Sequence, residues 1–268
     1  MKKIFLYSIL VLTALSMLIP FFAMIIISLS GNENVFLDYK NINLSLLSYK
    51  NVFHSIPVVK YFLNSFIVAG CTTIGQVFIS ALAGYGFARL KFKGADLILF
   101  IFILTMMIPS QVNIVPLFYI MSKLGWINTY QAMIVPGLFG GFGVYFMKQF
   151  FESFSPELED AAKLDGCGEF RTFFNIALPC AMPALATLSI FTFVTAWNSF
   201  MWPLIVTNTD SMRTLAVGLT IFKGSFREIT MWGELTACSC ICSIPVIAVF
   251  LLGKKYLLNN TQEGAVKG

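Results

Sequence analysis

Six stretches of this chain contain no Asp, Glu, Lys or Arg and are long enough to span a bilayer: residues 4–29, 61–88, 97–122, 124–147, 172–209 and 235–253. About 20 apolar residues in a helix cross a hydrocarbon core of about 30 Å. A soluble core cannot absorb six such runs in 268 residues. Charged residues make up only 12%, against about a quarter in a soluble domain. The bilayer is therefore the solvent. A helix satisfies its own backbone there, so the expected fold class is an all-α membrane protein with six transmembrane helices. The fifth run is longer than one span and must include more than a membrane crossing. The first follows Met1-Lys2-Lys3 and exceeds the apolar region of about 7–15 residues typical of a signal peptide. It reads as a retained anchor.

An even number of spans puts both termini on one side. With the N-terminus inside, eleven of the 18 lysines and arginines fall on the inner side and seven on the outer. Arg89, Lys91, Lys93, Lys254 and Lys255 abut the ends of spans on that inner side, which favours cytoplasmic termini. The expected organisation is an anchor helix and external loop over 1–60, a transmembrane domain over 61–253 and a cytoplasmic tail over 254–268. Residues 210–234 form a polar loop. Its apolar patch, 214–222, is too short to span and reads as a surface or partly inserted element.

The net charge of +5 is no nucleic-acid signature. Cys238, Cys240 and Cys242 alternate at a spacing that a helix splays around its circumference, which is poor metal geometry. The single histidine, His54, has no catalytic or ligating company. Pro20, Pro109, Pro116, Pro136, Pro183, Pro203 and Pro245 punctuate the spans and are expected to kink them. Gly84, Gly86 and the run from Gly137 to Gly143 are expected to let helices approach closely.

One segment differs from everything around it. Residues 152–183 carry six acidic residues, Glu152, Glu157, Glu159, Asp160, Asp165 and Glu169. Ser155 suits a helix N-cap, Pro156 a first turn, and Glu157 the positive end of the helix dipole. The helix is expected to stop at Asp165-Gly166, with Gly166 in the left-handed conformation. A second helix is expected over 169–177. Phe170, Phe173, Phe174 and Ala177 recur at helical spacing and make one apolar stripe. Leu178-Pro179 is expected to end it. The result is a short helix–turn–helix hung below the bilayer. Such short helices are marginal alone in water. The stripe needs a surface, which could be the chain's own bundle, the bilayer or a partner.

The spacing Asp160-Ala161-Ala162, three residues, Gly166, nine residues, Ile176-Ala177-Leu178-Pro179 resembles the EAA loop of ABC importer permeases. That pattern runs Glu-Ala-Ala, three residues, Gly, nine residues, Ile, one residue, Leu-Pro. Asp160 departs from it, standing where the pattern has Glu. The stretches 64–66, 81–94, 109–111, 115–117 and 197–204 resemble the maltose-type, carbohydrate-uptake branch.

The resemblance implies a type I ABC importer fold. It implies a second homologous permease subunit, an ATPase dimer beneath the pore and an extracytoplasmic solute-binding protein. The chain would be a multi-pass protein of the cell membrane and not an enzyme. It has no phosphate-binding loop, so ATP and Mg would belong to the ATPase. Coupling to that ATPase would fall to Glu159, Asp160, Ala161, Ala162, Asp165, Gly166, Phe170, Phe173, Phe174, Leu178 and Pro179.

The spans hold none of the ionisable groups that proton- and ion-coupled transporters place near the midplane. This weighs against a secondary transporter and favours a neutral polar solute. A membrane scaffold without an ATPase is a third reading. Gln76, Gln111, Asn113, Asn198 and Trp202 are the candidate substrate-path residues. Each has a plainer alternative, a buried interhelical hydrogen bond for the amides and an interfacial anchor for Trp202.

Overall fold

The computed structural model describes residues 2–30, 44–153, 157–164, 166–223 and 231–265. The described residues are helical throughout, with an isolated bridge between Ser30 and Leu44. Helix α1 (Lys2–Ser28) covers the expected anchor, followed by α2 (Leu47–Ser55) and the long α3 (Val58–Arg89). Next come α4 (Ala95–Met107), α5 (Ile114–Lys123), α6 (Tyr130–Ile134) and α7 (Gly141–Ser153). The acidic segment forms α8 (Glu157–Leu164), α9 (Glu169–Thr172), a π-helical turn at Phe173–Ala177 and α10 (Leu178–Cys180). The chain ends with α11 (Met182–Trp197), α12 (Met201–Val206), α13 (Leu215–Gly218) and α14 (Trp232–Ala265).

Among the described residues, three helices are long and apolar enough to cross a membrane: Lys3–Ser28, Val58–Arg89 and Trp232–Tyr256. Two bent pairs bring this to five. Ala95–Met107 meets Ser110–Lys123 at 94°, and Glu169–Cys180 meets Met182–Trp197 at 75°. The first bend sits where Ile108 is extended ahead of Pro109, as the steric clash with a following proline requires. The fourth apolar run is not one helix. It divides into α6, a 3-10 turn at Val135–Leu138 containing Pro136-Gly137, and α7, with Phe139 extended between them. The count of six is reached only with this broken run included.

The expected kinks are found at Pro109 and beside Pro183, where the bends are 94° and 75°. Pro20 and Pro245 lie inside helices. Pro136 and Pro183 stand in the first turns of their elements, where the missing N–H has no partner to lose. Most of the bending therefore occurs between helices rather than within them.

The chain divides into two compact units, Met1–Phe62 with Thr214–Pro245, and Leu63–Arg213 with Val246–Gly268. In the first, the patch 214–222, expected as a surface or partly inserted element, buries Leu215, Val217 and Phe222, as Ile56 and Tyr61 are buried, and leaves Ile221 exposed. A methyl group at Gly218 would meet the Tyr61 ring at 2.7 Å, so glycine is what lets α13 seat there. Asn51 donates to Glu234 at 2.8 Å, and Tyr49 and Ser28 share a hydrogen bond at 3.0 Å.

In the second unit, the glycine patches do what close packing requires. A methyl group at Gly84 would meet Met147 Cβ at 2.6 Å and the Lys148 backbone at 2.8 Å. Gly137, Gly140 and Gly143 lie in the same way against Thr72, Gln76 and Ser80 of α3. Gly86 has open space instead. Gly125 and Asn128 turn the chain between α5 and α6, both with positive φ (70° and 62°). The Asn128 carboxamide oxygen accepts from the backbone N–H groups of Asn208 and Thr209. Buried Asn64 takes the Tyr130 hydroxyl at 2.7 Å and donates to the carbonyls of Ser211 and Arg213.

Candidate functional site

The acidic segment ends its first helix by a backbone device. Gly166 has φ +79°, and the N–H of Cys167 reaches back to the Ala162 carbonyl at 2.9 Å. This is the Schellman arrangement, which satisfies a carbonyl that the helix end would otherwise orphan. Gly168 is extended before α9 and accepts from the Thr172 N–H at 3.0 Å and its hydroxyl at 3.2 Å. The expected caps Ser155 and Pro156 lie outside the described residues, as do Asp165 and the side chains of Asp160 and Ala161.

Helix α8 buries one edge. Glu159 and Ala162, three residues apart, are 3% and 4% exposed, as the helical repeat allows. Glu159 was expected to offer its charge to a partner. It instead accepts from the Nε of Arg89, at the end of α3, at 2.9 Å. Desolvation explains this: a carboxylate on the inward edge must be paired.

The phenylalanine stripe also divides. Phe173 and Ala177 are both 1% exposed, and Phe170 and Phe174 are 73% and 45% exposed. Phe173 sits 5.1 Å from the Tyr85 ring, which lies 5.4 Å from Phe151. These residues join Ala81, Met147, Ala181, Ala184 and Leu188 in one core, against which Leu178 also packs. Phe173 is therefore an interior residue, and Leu178 is half-buried against the same core. Leu178 and exposed Pro179 do not end the second helix. It runs on to Cys180, and the break comes at Ala181. Among the described residues of the segment, Phe170, Phe174 and Leu164 are left exposed, the last at 90%. Leu164 was missed from the sequence because it falls outside the stripe of the second helix.

A second feature lies in the same unit. A cavity of about 660 Å³ is lined by Thr72 and Gln76 of α3, Gln111, Phe142, Ser199 and Trp202, among others, and none of its lining residues is charged. The volume is in the range of small-molecule sites, about 300–1,000 Å³. Of the five candidate path residues, it brings together Gln76, Gln111 and Trp202. Asn113 and Asn198 are exposed and outside its lining. The Trp202 indole N–H is already given to the Ala132 carbonyl at 2.8 Å, so this ring offers the cavity an aromatic surface and no free donor. Phe142 and Phe200 also line it. Nothing in the sequence separates them from the other phenylalanines.

Residues 76–258 match the family described as binding-protein-dependent transport system inner membrane component. The chain is 40% identical over 213 residues to the probable ABC transporter permease protein YurM of Bacillus subtilis, covering 79% of this chain and 70% of that one. It is 34% identical to the trehalose/maltose transport system permease protein MalG of Thermococcus litoralis, over 100% of this chain and 98% of that one. In fold it is similar to the crystal structure of a bacterial ABC transporter involved in the import of the acidic polysaccharide alginate. The TM-score is 0.82, at 22% identity, over 95% of each chain.

Proposed function

Because this chain belongs to the family of binding-protein-dependent transport system inner membrane components, we propose that it moves a carbohydrate or related neutral polar solute, driven by a separate ATPase docked on the α8–α10 segment. It is a permease subunit of an ABC importer. Family membership sets aside the secondary transporter and the scaffold. The partners in this reading are a second permease subunit, an ATPase dimer that holds ATP and Mg, and an extracytoplasmic binding protein that delivers the solute. Both termini lie in the cytoplasm.

The observation that carries the docking is the divided loop. One edge of α8 and of the following helix is fixed to the bundle through Glu159, Ala162, Phe173 and Ala177. Leu164, Phe170 and Phe174 of the same segment are exposed. A loop fixed to the bundle that still exposes apolar side chains suits transmission of force from a partner. Asp160, Ala161 and Asp165 belong to the same contact in this reading. The solute class is supported by the neutral cavity, whose amides and hydroxyls suit sugar hydroxyls and whose rings suit sugar C–H faces. The trehalose/maltose assignment of the Thermococcus relative agrees with it.

The test is reconstitution of the full transporter in proteoliposomes, with ATP hydrolysis measured across binding proteins loaded with neutral sugars and with charged solutes. Stimulation by a neutral sugar, with uptake, is expected. Stimulation by charged solutes alone would sink the solute class. Gly166→Arg is expected to insert normally and to lose uptake. The left-handed conformation costs a residue with a Cβ about 1–2 kcal/mol, while the site has open space around it. Wild-type uptake by that variant would remove the loop from the mechanism.

A further inference from the structure

The buried carboxylate of the docking loop is paired with the bundle. Glu159 meets Arg89 Nε at 2.9 Å, with the two side chains 4% and 15% exposed. Arg89 is the last residue of α3, so the pair joins the loop to the end of that helix. Removing one partner would leave a buried charge uncompensated. One turn before Arg89, Tyr85 lies against Phe173 from the loop and Phe151 from α7. The end of α3 is thus gripped by an ion pair and by ring packing.

Further along, α3 builds part of the cavity wall with Val68, Thr72 and Gln76. Between the grip and the wall runs a single ridge. Thr72, Gln76 and Ser80 recur every four residues, and each lies against a glycine: Gly137, Gly140 and Gly143. Ridges at this spacing are the ordinary helix-packing surface. This one is unusual in its polarity. Among the described residues, the hydroxyls of Thr72 and Ser80 find no hydrogen-bond partner. Packing alone holds the ridge at those two positions, so a shift of α3 along it breaks no hydrogen bond there. Buried hydroxyls normally have partners, and an arrangement that left them unpaired in one state and paired in another would favour movement.

We propose that Arg89 is a positioning residue that hands displacement of the docking loop to α3, and through the Thr72–Gln76–Ser80 ridge to the cavity wall. The inference rests on the reading of the α8–α10 segment as the ATPase dock. It makes α3 the element that carries force from that dock to the solute path.

The test uses the complete reconstituted transporter with Arg89→Gln, Glu159→Gln and the reversed pair Arg89→Glu/Glu159→Arg. The readout is solute moved per ATP hydrolysed, which a general loss of stability would not change for the surviving complexes. Both single variants are expected to co-purify with the ATPase and to hydrolyse ATP, while the ratio falls by about tenfold or more. The reversed pair is expected to recover most of it, because it restores the coupling that a double-mutant cycle isolates. Single variants with the wild-type ratio, or a reversed pair no better than they are, would overturn the proposal. Where the single variants fail to assemble, the reversed pair decides: a ratio near wild type supports Arg89 as the link, and an uncoupled or unassembled reversed pair overturns it. A wild-type complex that shows no solute-stimulated hydrolysis would overturn the docking reading itself, and this inference with it.

Discussion

Two phenylalanines separated by three positions carry opposite duties. Phe173 is interior, between Tyr85 and its own neighbour Phe174, and Phe170 projects from the protein. Phe173→Ala would remove a ring from a closed core and is expected to cost about 3–5 kcal/mol, seen as a lower thermal midpoint in detergent. Phe170→Ala is expected to leave that midpoint unchanged and to weaken retention of the ATPase on an affinity column. A drop in midpoint for Phe170→Ala, or none for Phe173→Ala, would show that the division of the stripe is misassigned. The stripe itself was legible from the sequence as an apolar face at helical spacing. Its division was not, because the ring that selects the inward edge, Tyr85, is far away in the chain. Glu159 was legible as an acidic residue of the loop. Its partner was not, since Arg89 is 70 residues away and nothing local names it.

Among the elements, the contact between α3 and α7 depends on absent side chains. At Gly84 an added methyl group would meet backbone, the Lys148 nitrogen at 2.8 Å and the Met147 carbonyl carbon at 2.9 Å. Backbone cannot rotate away as a side chain can, so Gly84→Ala must part the helices. It is expected to destabilise by about 1–3 kcal/mol, the usual cost of overpacking. Gly86→Ala, two residues on and in open space, is expected to be neutral, or stabilising by up to about 1 kcal/mol through helix propensity. Thermal unfolding of the two variants side by side reads the difference, and equal midpoints would contradict the packing. The glycine-rich patches were readable in advance as places of close approach. Which glycine is pressed and which is free depends on the rotation of α3 about its axis. That rotation is set by long-range packing rather than by local sequence. The broken spans have a similar history. Pro109 and Pro136-Gly137 announced breaks, but a run of uncharged residues looks the same whether its helix is straight or bent through 94°.

At the scale of the whole molecule, charge is sorted in two ways. The apolar runs exclude it, and so does the lining of the cavity. The basic residues gather beside the ends of α3 and within the last turns of α14, at Arg89, Lys91, Lys93, Lys254 and Lys255. Lysine and arginine hold their side of the membrane because moving them across is costly during insertion. In the proposed orientation the segment that carries Arg89 is cytoplasmic, and so is α8, whose Glu159 is bound to it. This is the side on which an ATPase finds ATP. The buried ion pair ties the loop and the basic cluster to one side of the membrane. A cysteine at Lys93 in a cysteine-free background is expected to resist a membrane-impermeant maleimide in intact cells and to react after permeabilisation. A cysteine at Lys123, beyond the bent third run, is expected to react in intact cells. The reverse pattern would place the docking loop outside. An ATP-driven reading of this chain could not survive that result, whatever its fold.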